Sequence, residues 1–336
     1  MQTDIRNLFE TNKKLIGDVD RAVCFFRTGR YDKALECVAS TADEIHLVSE
    51  AVMQDREYFE PIATDFIEEM LESLVNATKA KDYILLADLY DMQVASFVLG
   101  VQEYILKREQ YLIFDQDQYK ENIRNLKAVL REMIEERDDL SPDEQKRYRV
   151  NLNAKLDDMF EPEELIKKGF NLEFTSGGYM TIAAPFKGGS IYLHSNGRVV
   201  SESLQQVLSW YDPMVDEYII FGLGMGYHVD ELRRLAPDKR IIVFENDLDV
   251  MRLYCAFGGD AELLTTENIF IVYDNDLSVL ERRLEGTAPL GNGNYSFVDE
   301  NGKIVKVCIH YPSYRRSAGC KALDAALPWK SVVESV

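Results

Sequence analysis

Residues Asp216–Asp247 read DEYIIFGLGMGYHVDELRRLAPDKRIIVFEND, and their order of textures decides the fold. Tyr218, Ile219, Ile220 and Phe221 form a short apolar run of β-formers that stops at glycines. Gly222, Gly224 and Gly226 follow in a G-x-G-x-G spacing, then the helix-compatible stretch Asp230–Leu235. After Pro237-Asp238 a second apolar run, Ile241 to Phe244, closes on Glu245. Strand, glycine turn, helix and strand make half of a nucleotide-binding βαβ unit. In such a unit the glycines let backbone approach a ligand, and the helix N-terminus offers unpaired N–H groups. An acid about 20 residues beyond the turn is where a ribose hydroxyl is held.

The pattern departs from two standard forms. A dinucleotide fingerprint places its third glycine one residue later, whereas here Tyr227 follows Gly226. A class I methyltransferase places an acid two residues before its first glycine, and that position is Ile220. The plainer alternative is that the glycines permit close helix–strand packing and that side chains fill the crevice.

Outward from this unit, the chain of 336 residues has room for more than one domain, and its 46% hydrophobic and 29% charged content is that of a globular protein. A formal charge of −20 disfavours nucleic acid and anionic membrane surfaces as partners. The five cysteines, Cys24, Cys37, Cys255, Cys308 and Cys320, are scattered without a CxxC pair, which predicts reduced thiols and neither a disulfide framework nor a zinc site. The start lacks a basic-then-apolar signal, and no run of consecutive apolar residues approaches a membrane span. Together these predict a cytoplasmic protein.

Upstream, residues 1–160 carry helical periodicity and are expected to form an all-helical domain. Leu8, Leu15, Ile16, Val19, Val23 and Phe26 recur at three- and four-residue steps before Thr28-Gly29-Arg30 interrupts them. Asp82–Leu106 is apolar nearly all round, as expected of a central bundle helix; its Asp88 and Asp91 either line a pocket or pair with basic neighbours at the bundle edge. A further helix is expected from about Gln118 and a last one after Ser141-Pro142. Residues 161–215 change texture, with a β-hairpin at Asn171–Ala184, a strand at Ser190–His194 and a linker helix near Ser201–Trp210. Residues 216–336 form the Rossmann-like domain, with a third core strand ending at Tyr273-Asp274 and two late strands around Asn301-Gly302. The predicted class is therefore an all-helical N-terminal domain followed by a Rossmann-like α/β domain with a small β-hairpin annex.

Candidate binding residues are those that end the apolar runs: Gly222, Gly224, Gly226, Tyr227, His228, Glu245, Asp247 and Asp274. Glu245 would hold ribose hydroxyls, and Asp274 with Tyr273 would face a base. Each acid alone also suits a helix cap. His228, His194 and His310 are candidate proton-transfer or phosphate-contacting groups, against the plainer reading of packed or capping histidines. Gly224→Val is expected to abolish ligand binding without unfolding the chain. No Ser-His-Asp ordering, HExxH, P-loop or acidic metal cluster occurs in the sequence.

Leu193-His194-Ser195, then Phe221-Gly222-Leu223-Gly224-Met225-Gly226-Tyr227-His228, then Ile242-Val243-Phe244-Glu245-Asn246-Asp247 resemble the amino-terminal Rossmann-like portion of motility accessory factor (Maf) flagellin glycosyltransferase-like proteins, grouped with the MptE-like (6-hydroxymethylpterin diphosphokinase-like) superfamily. The likeness covers roughly residues 170–280. It implies a role in protein glycosylation, with a nonulosonic-acid nucleotide as donor and flagellin as a possible protein partner. Two departures accompany it. The family's G-x-G-P-S-L turn occurs nowhere in the sequence, and Asn196-Gly197-Arg198 and Glu202-Ser203 replace the proline and Glu-Ala that usually follow the Leu-His-Ser strand end. The resemblance therefore implies ligand or partner binding more directly than transfer. A nucleotide sugar or S-adenosylmethionine is the expected ligand class, with a methyltransferase or a non-catalytic interaction scaffold as alternatives.

Overall fold

The computed structural model describes residues 4–135, 137–157, 161–175, 179–186, 189–259, 261–285, 287 and 295–310. The elements in chain order are α1 (Ile5–Arg27), α2 (Tyr31–Gln54), α3 (Ile67–Ala80), α4 (Tyr83–Leu89), α5 (Ala95–Arg108), α6 (Gln116–Glu135), α7 (Pro142–Asp157), α8 (Pro162–Lys167), β1 (Asn171–Phe174), β2 (Met180–Phe186), β3 (Gly189–Tyr192), α9 (Val199–Trp210), β4 (Glu217–Phe221), α10 (Tyr227–Leu235), β5 (Arg240–Glu245), α11 (Leu248–Phe257), β6 (Ile269–Tyr273), α12 (Ser278–Leu284), β7 (Tyr295–Val298) and β8 (Ile304–Ile309). A helical N-terminal region thus precedes an α/β region, as the hydrophobic periods require. Cys320, Tyr311-Pro312 and the Ser176-Gly177-Gly178 turn of the expected hairpin lie outside the described residues.

The chain divides into two compact units, and the division differs from the boundaries expected at 160 and 215. One unit comprises residues 1–114, 173–181 and 195–205; the other comprises 115–172, 182–194 and 206–336. Helices α6 and α7, expected in the helical domain, belong to the unit that holds the large sheet. Asn122 on α6 donates to the Cys255 carbonyl at 2.8 Å, and the Tyr148 hydroxyl on α7 donates to the Tyr273 carbonyl at 3.2 Å. Periodicity reveals that a segment is an amphipathic helix, but not which partner covers its apolar stripe.

In the first unit, α1 and α5 share a buried polar pair. Asn12 donates to the Val98 carbonyl and to Gln102 Oε1, both at 2.8 Å. Between α4 and α5 the helix widens into a π turn at Tyr90–Val94, where the buried Tyr90 hydroxyl lies 2.9 Å from Thr41 Oγ1. Read through this turn, Tyr83–Arg108 is a 26-residue helix, long and apolar enough to cross a membrane by length and composition, and half of its most apolar window is buried. The apolar surface of this helix, expected at the centre of a bundle, is in part exposed at Ile84, Leu85 and Met92. Of the two readings for its acids, Asp88 and Asp91 take the ion-paired one. Asp88 accepts from Arg27 at 2.6 Å, and Asp91 is held by Arg198.

In the second unit, five strands run in the order β6-β5-β4-β8-β7. β6, β5, β4 and β8 are parallel, and β7 is antiparallel at one edge. Central β4 pairs with β5 and β8 in matching register, Ile219 lying opposite both Ile242 and Val307. Every residue of β4 is buried, because a central parallel strand is covered on both faces. The chain moves from β4 outward through β5 to β6, then returns to place β8 on the other side of β4. The carboxyl ends of β4 and β8 therefore flank a topological switch point, the place where open α/β sheets receive ligands. A second, three-stranded sheet is ordered β1-β2-β3 and contributes residues to both units; Ala183 in β2 lies opposite Tyr192 in β3.

Candidate functional site

β4 ends at Phe221, and the glycine turn begins at the switch point. Gly222, Gly224 and Gly226 have φ of 105°, 52° and 78°, a sequence of positive values that L-side chains resist. The turn is sheltered: residues 217–232 are all buried. What shelters it is largely aromatic. A β-carbon at Gly224 would lie 2.6 Å from His194 Nε2 and 3.3 Å from His310 Nε2, and one at Gly226 would lie 2.6 Å from the Tyr254 ring. Tyr227 packs on Gly259 and edge-on to His194 at 5.1 Å between ring centres.

Three imidazoles gather here from three places in the sequence. His194 follows β3, His228 is the second residue of α10, and His310 follows β8, where its own N–H donates to the Phe221 carbonyl at 3.0 Å. One ring nitrogen from each lies within 4.8 Å of the other two. His228 and His310 stack at 3.8 Å between centres, with 16° between planes. The Met225 N–H donates to His194 Nε2 at 2.9 Å. His228 Nε2 lies 3.0 Å from the Gly222 carbonyl, so it carries the proton, and Nδ1 is left buried with no hydrogen-bond partner. His310 Nδ1 faces Gln206 Oε1 at 3.1 Å. Burial, and next the nearness of His310, pulls His194 and His228 well below the usual imidazole range, so both are neutral.

The acids bond to backbone amides, and Asp247 and Asp274 take the capping reading. Glu245 is fully buried: one oxygen accepts the Leu223 N–H at 3.0 Å, and the other accepts the N–H groups of Asn246 and Asp247 at 2.9 Å each. Its carboxylate ties β5 to the glycine turn instead of facing a ribose. Asp247 caps α11 by accepting from Asp249 N at 3.0 Å. Asp274 caps α12, with one oxygen accepting from Val279 N and Leu280 N at 2.9 Å each. Burial pushes its carboxyl up to about 6. Asp274 also borders a polar groove of about 370 Å³ with Arg137, Tyr148 and Asn151, at the far edge of the parallel strands from the imidazoles.

The structure thus unites Gly222, Gly224, Gly226, Tyr227 and His228 of the expected site, adds His194 and His310 to them, and assigns Glu245, Asp247 and Asp274 to holding the backbone. The histidines were individually visible in the sequence. Their convergence was not, because it depends on where β3 and β8 end. The available signal was numerical: of four histidines, three fall just past a strand or a glycine turn.

No protein-family model matches the chain, and no curated protein matches it. Among solved structures, MnmC2 from Aquifex aeolicus is similar at 17% identity and a TM-score of 0.22, over 50% of this chain and 60% of that one. The match spans less than two thirds of that protein, and at such a score it carries no argument about fold or function.

Proposed function

We propose that this chain is a Maf/MptE-like module that binds a small phosphorylated ligand of the nucleotide type at the switch point, in the service of protein glycosylation. One observation carries this reading. The three stretches behind the resemblance touch one another in a single place: His194 from Leu-His-Ser accepts from Met225 in the glycine turn, and Glu245 from Phe-Glu-Asn-Asp accepts from Leu223 in that turn. Stretches separated by tens of residues are joined around the crevice where a Rossmann-like sheet receives its ligand.

With Glu245 committed to backbone, and the Gly222, Leu223, Met225 and Gly226 amides donating within the fold, recognition falls to the N-terminus of α10 and the imidazoles, a set suited to phosphate more than to ribose. The reading is one of binding. No transfer step is assigned, since the G-x-G-P-S-L turn is absent from the sequence. A flagellin-type acceptor protein is the partner that the resemblance suggests.

A thermal-shift panel tests this. It should include CMP-linked nonulosonic acids, other nucleotide sugars, plain nucleotides, NAD and S-adenosylmethionine. A ligand at 100 times its Kd adds about 2.7 kcal/mol, a rise of roughly 5–10 °C in a unit of this size. A rise with nucleotide sugars is the expected result. A rise confined to S-adenosyl compounds replaces the reading with a methyltransferase, and no rise with any of them sinks it.

A further inference from the structure

We infer that His194, His228 and His310 form a binding site for one divalent transition-metal ion of the zinc class, seated against the bare face of Gly224.

Four observations converge on it. First, three of the chain's four histidines offer ring nitrogens within 4.8 Å of one another, from segments more than 30 residues apart in sequence. Second, on two of the three histidines one ring nitrogen is already engaged as the outer nitrogen is in metal-bound histidines. His228 Nε2 points at the Gly222 carbonyl and His310 Nδ1 at Gln206 Oε1, the outer contacts that fix tautomer and ring direction. Third, His228 Nδ1 is a lone pair buried without a hydrogen-bond partner, an arrangement that costs free energy unless something fills it. Fourth, Gly224 lacks the β-carbon that would occupy the space beside His194 Nε2 and His310 Nε2.

The donor set selects the ion. Three imidazoles with no thiolate or carboxylate among them suit zinc, cobalt, nickel or copper, and not calcium or magnesium, which require oxygen ligands. Neutral ligands leave the ion's charge uncompensated, so a fourth position stays open to solvent oxygen or to an anionic oxygen of a ligand. Binding must also reshape the cluster. Rings stacked nearly parallel at 3.8 Å cannot both hold one ion in their planes at the usual distance of about 2.0 Å, so His228 and His310 must fan apart, and His194 must release the Met225 N–H. This site does not depend on the nucleotide reading and would survive its failure.

The test uses the untagged full chain, stripped with a chelator and titrated with cobalt(II), then with zinc as a competitor. One cobalt per chain with the strong visible absorption of a four-coordinate site is expected, displaced by zinc. His228→Ala and His310→Gln should each weaken binding at least tenfold, while His46→Ala, which removes the exposed histidine of the helical unit, should leave it unchanged. Histidine-ring nitrogen NMR on the wild-type chain avoids dependence on how the variants fold. Zinc should shift three imidazoles and spare the fourth. Substoichiometric binding, loss of binding in His46→Ala, or no shift at the three clustered rings would each overturn the assignment.

Discussion

The buried carboxylate of Glu245 accepts the Leu223 N–H at 3.0 Å, joining the end of β5 to the middle of the glycine turn. Its second oxygen takes the two amides that open the loop after β5. A buried anion satisfied by three backbone donors is a structural clamp, and the buried Leu223 N–H would otherwise be an orphan.

Glu245→Gln separates the clamp from a ribose contact. The amide keeps one acceptor oxygen but turns an N–H₂ group toward backbone donors, so at least one amide loses its partner. We expect a loss of about 1–3 kcal/mol in urea unfolding, with or without ligand present. A variant of unchanged stability that binds nucleotides more weakly would return Glu245 to the ribose.

Asp274 makes stability depend on pH. Burial raises its carboxyl from 3.8 to about 6, with Asp276 adding to the rise and the amides of Leu280 and Val279 opposing it. Between those values the folded chain holds a proton that the unfolded chain has released, so this group's contribution to stability falls as pH rises from about 4 to 6 and is level above. A rise of about 2 units corresponds to at most roughly 3 kcal/mol. Asp274→Asn keeps an oxygen for both amides and removes the ionisation. The variant should match or exceed the parent at pH 7.5 and lose its advantage near pH 4. A parent–variant difference that does not change between these pH values would contradict the assignment.

Within the helical unit, Arg198 donates from Nε to Asp20 Oδ1 at 2.8 Å and also holds Asp91. Asp20 is only 4% exposed, and desolvation raises its pKa in spite of the guanidinium. Arg198→Met strands a buried carboxylate and should cost about 2–4 kcal/mol, somewhat less than a fully buried pair because Arg198 is a third exposed. Adding Asp20→Asn should recover most of that loss. A double variant no better than the single one would mean that Arg198 acts through packing.

Much of this architecture was legible from residue order. The break at Thr28-Gly29-Arg30 separates α1 from α2, the runs before Gly222 and Glu245 are β4 and β5, and Asn301-Gly302 turns β7 into β8, with Gly302 at a φ of 79°. These are local signals, each set by neighbours in sequence. What sequence could not supply is partnership. The stripe on α6 reads the same whether it faces other helices or a sheet, and a carboxylate after a strand reads the same whether it meets a ribose or an amide. Arg198 shows the limit well: it stands where the Maf pattern differs, and only the structure supplies the Asp20 and Asp91 that it meets.

The glycine turn gives the sharpest test of the imidazole packing. Gly224→Val was the natural probe of a ligand crevice, but with His194 Nε2 only 2.6 Å from a β-carbon at this position, valine would strain the fold whether or not a ligand binds. Alanine against a matched control is more informative. Gly302 has a φ of 79° with nothing within 4 Å of an added β-carbon, so Gly302→Ala measures the backbone conformation alone, about 1 kcal/mol. Gly224 has a φ of 52° and bears the same conformational cost, and its methyl must also displace an imidazole held by Met225 and enclosed by Tyr227 and His310. Overpacking of this kind adds about 1–3 kcal/mol, so Gly224→Ala should cost about 2–4 kcal/mol in all. The excess over Gly302→Ala should shrink when His194→Ala is introduced with it, because the collision is removed. Equal costs for the two alanine variants would mean that His194 does not rest on the turn, and the three-imidazole cluster would have to be redrawn.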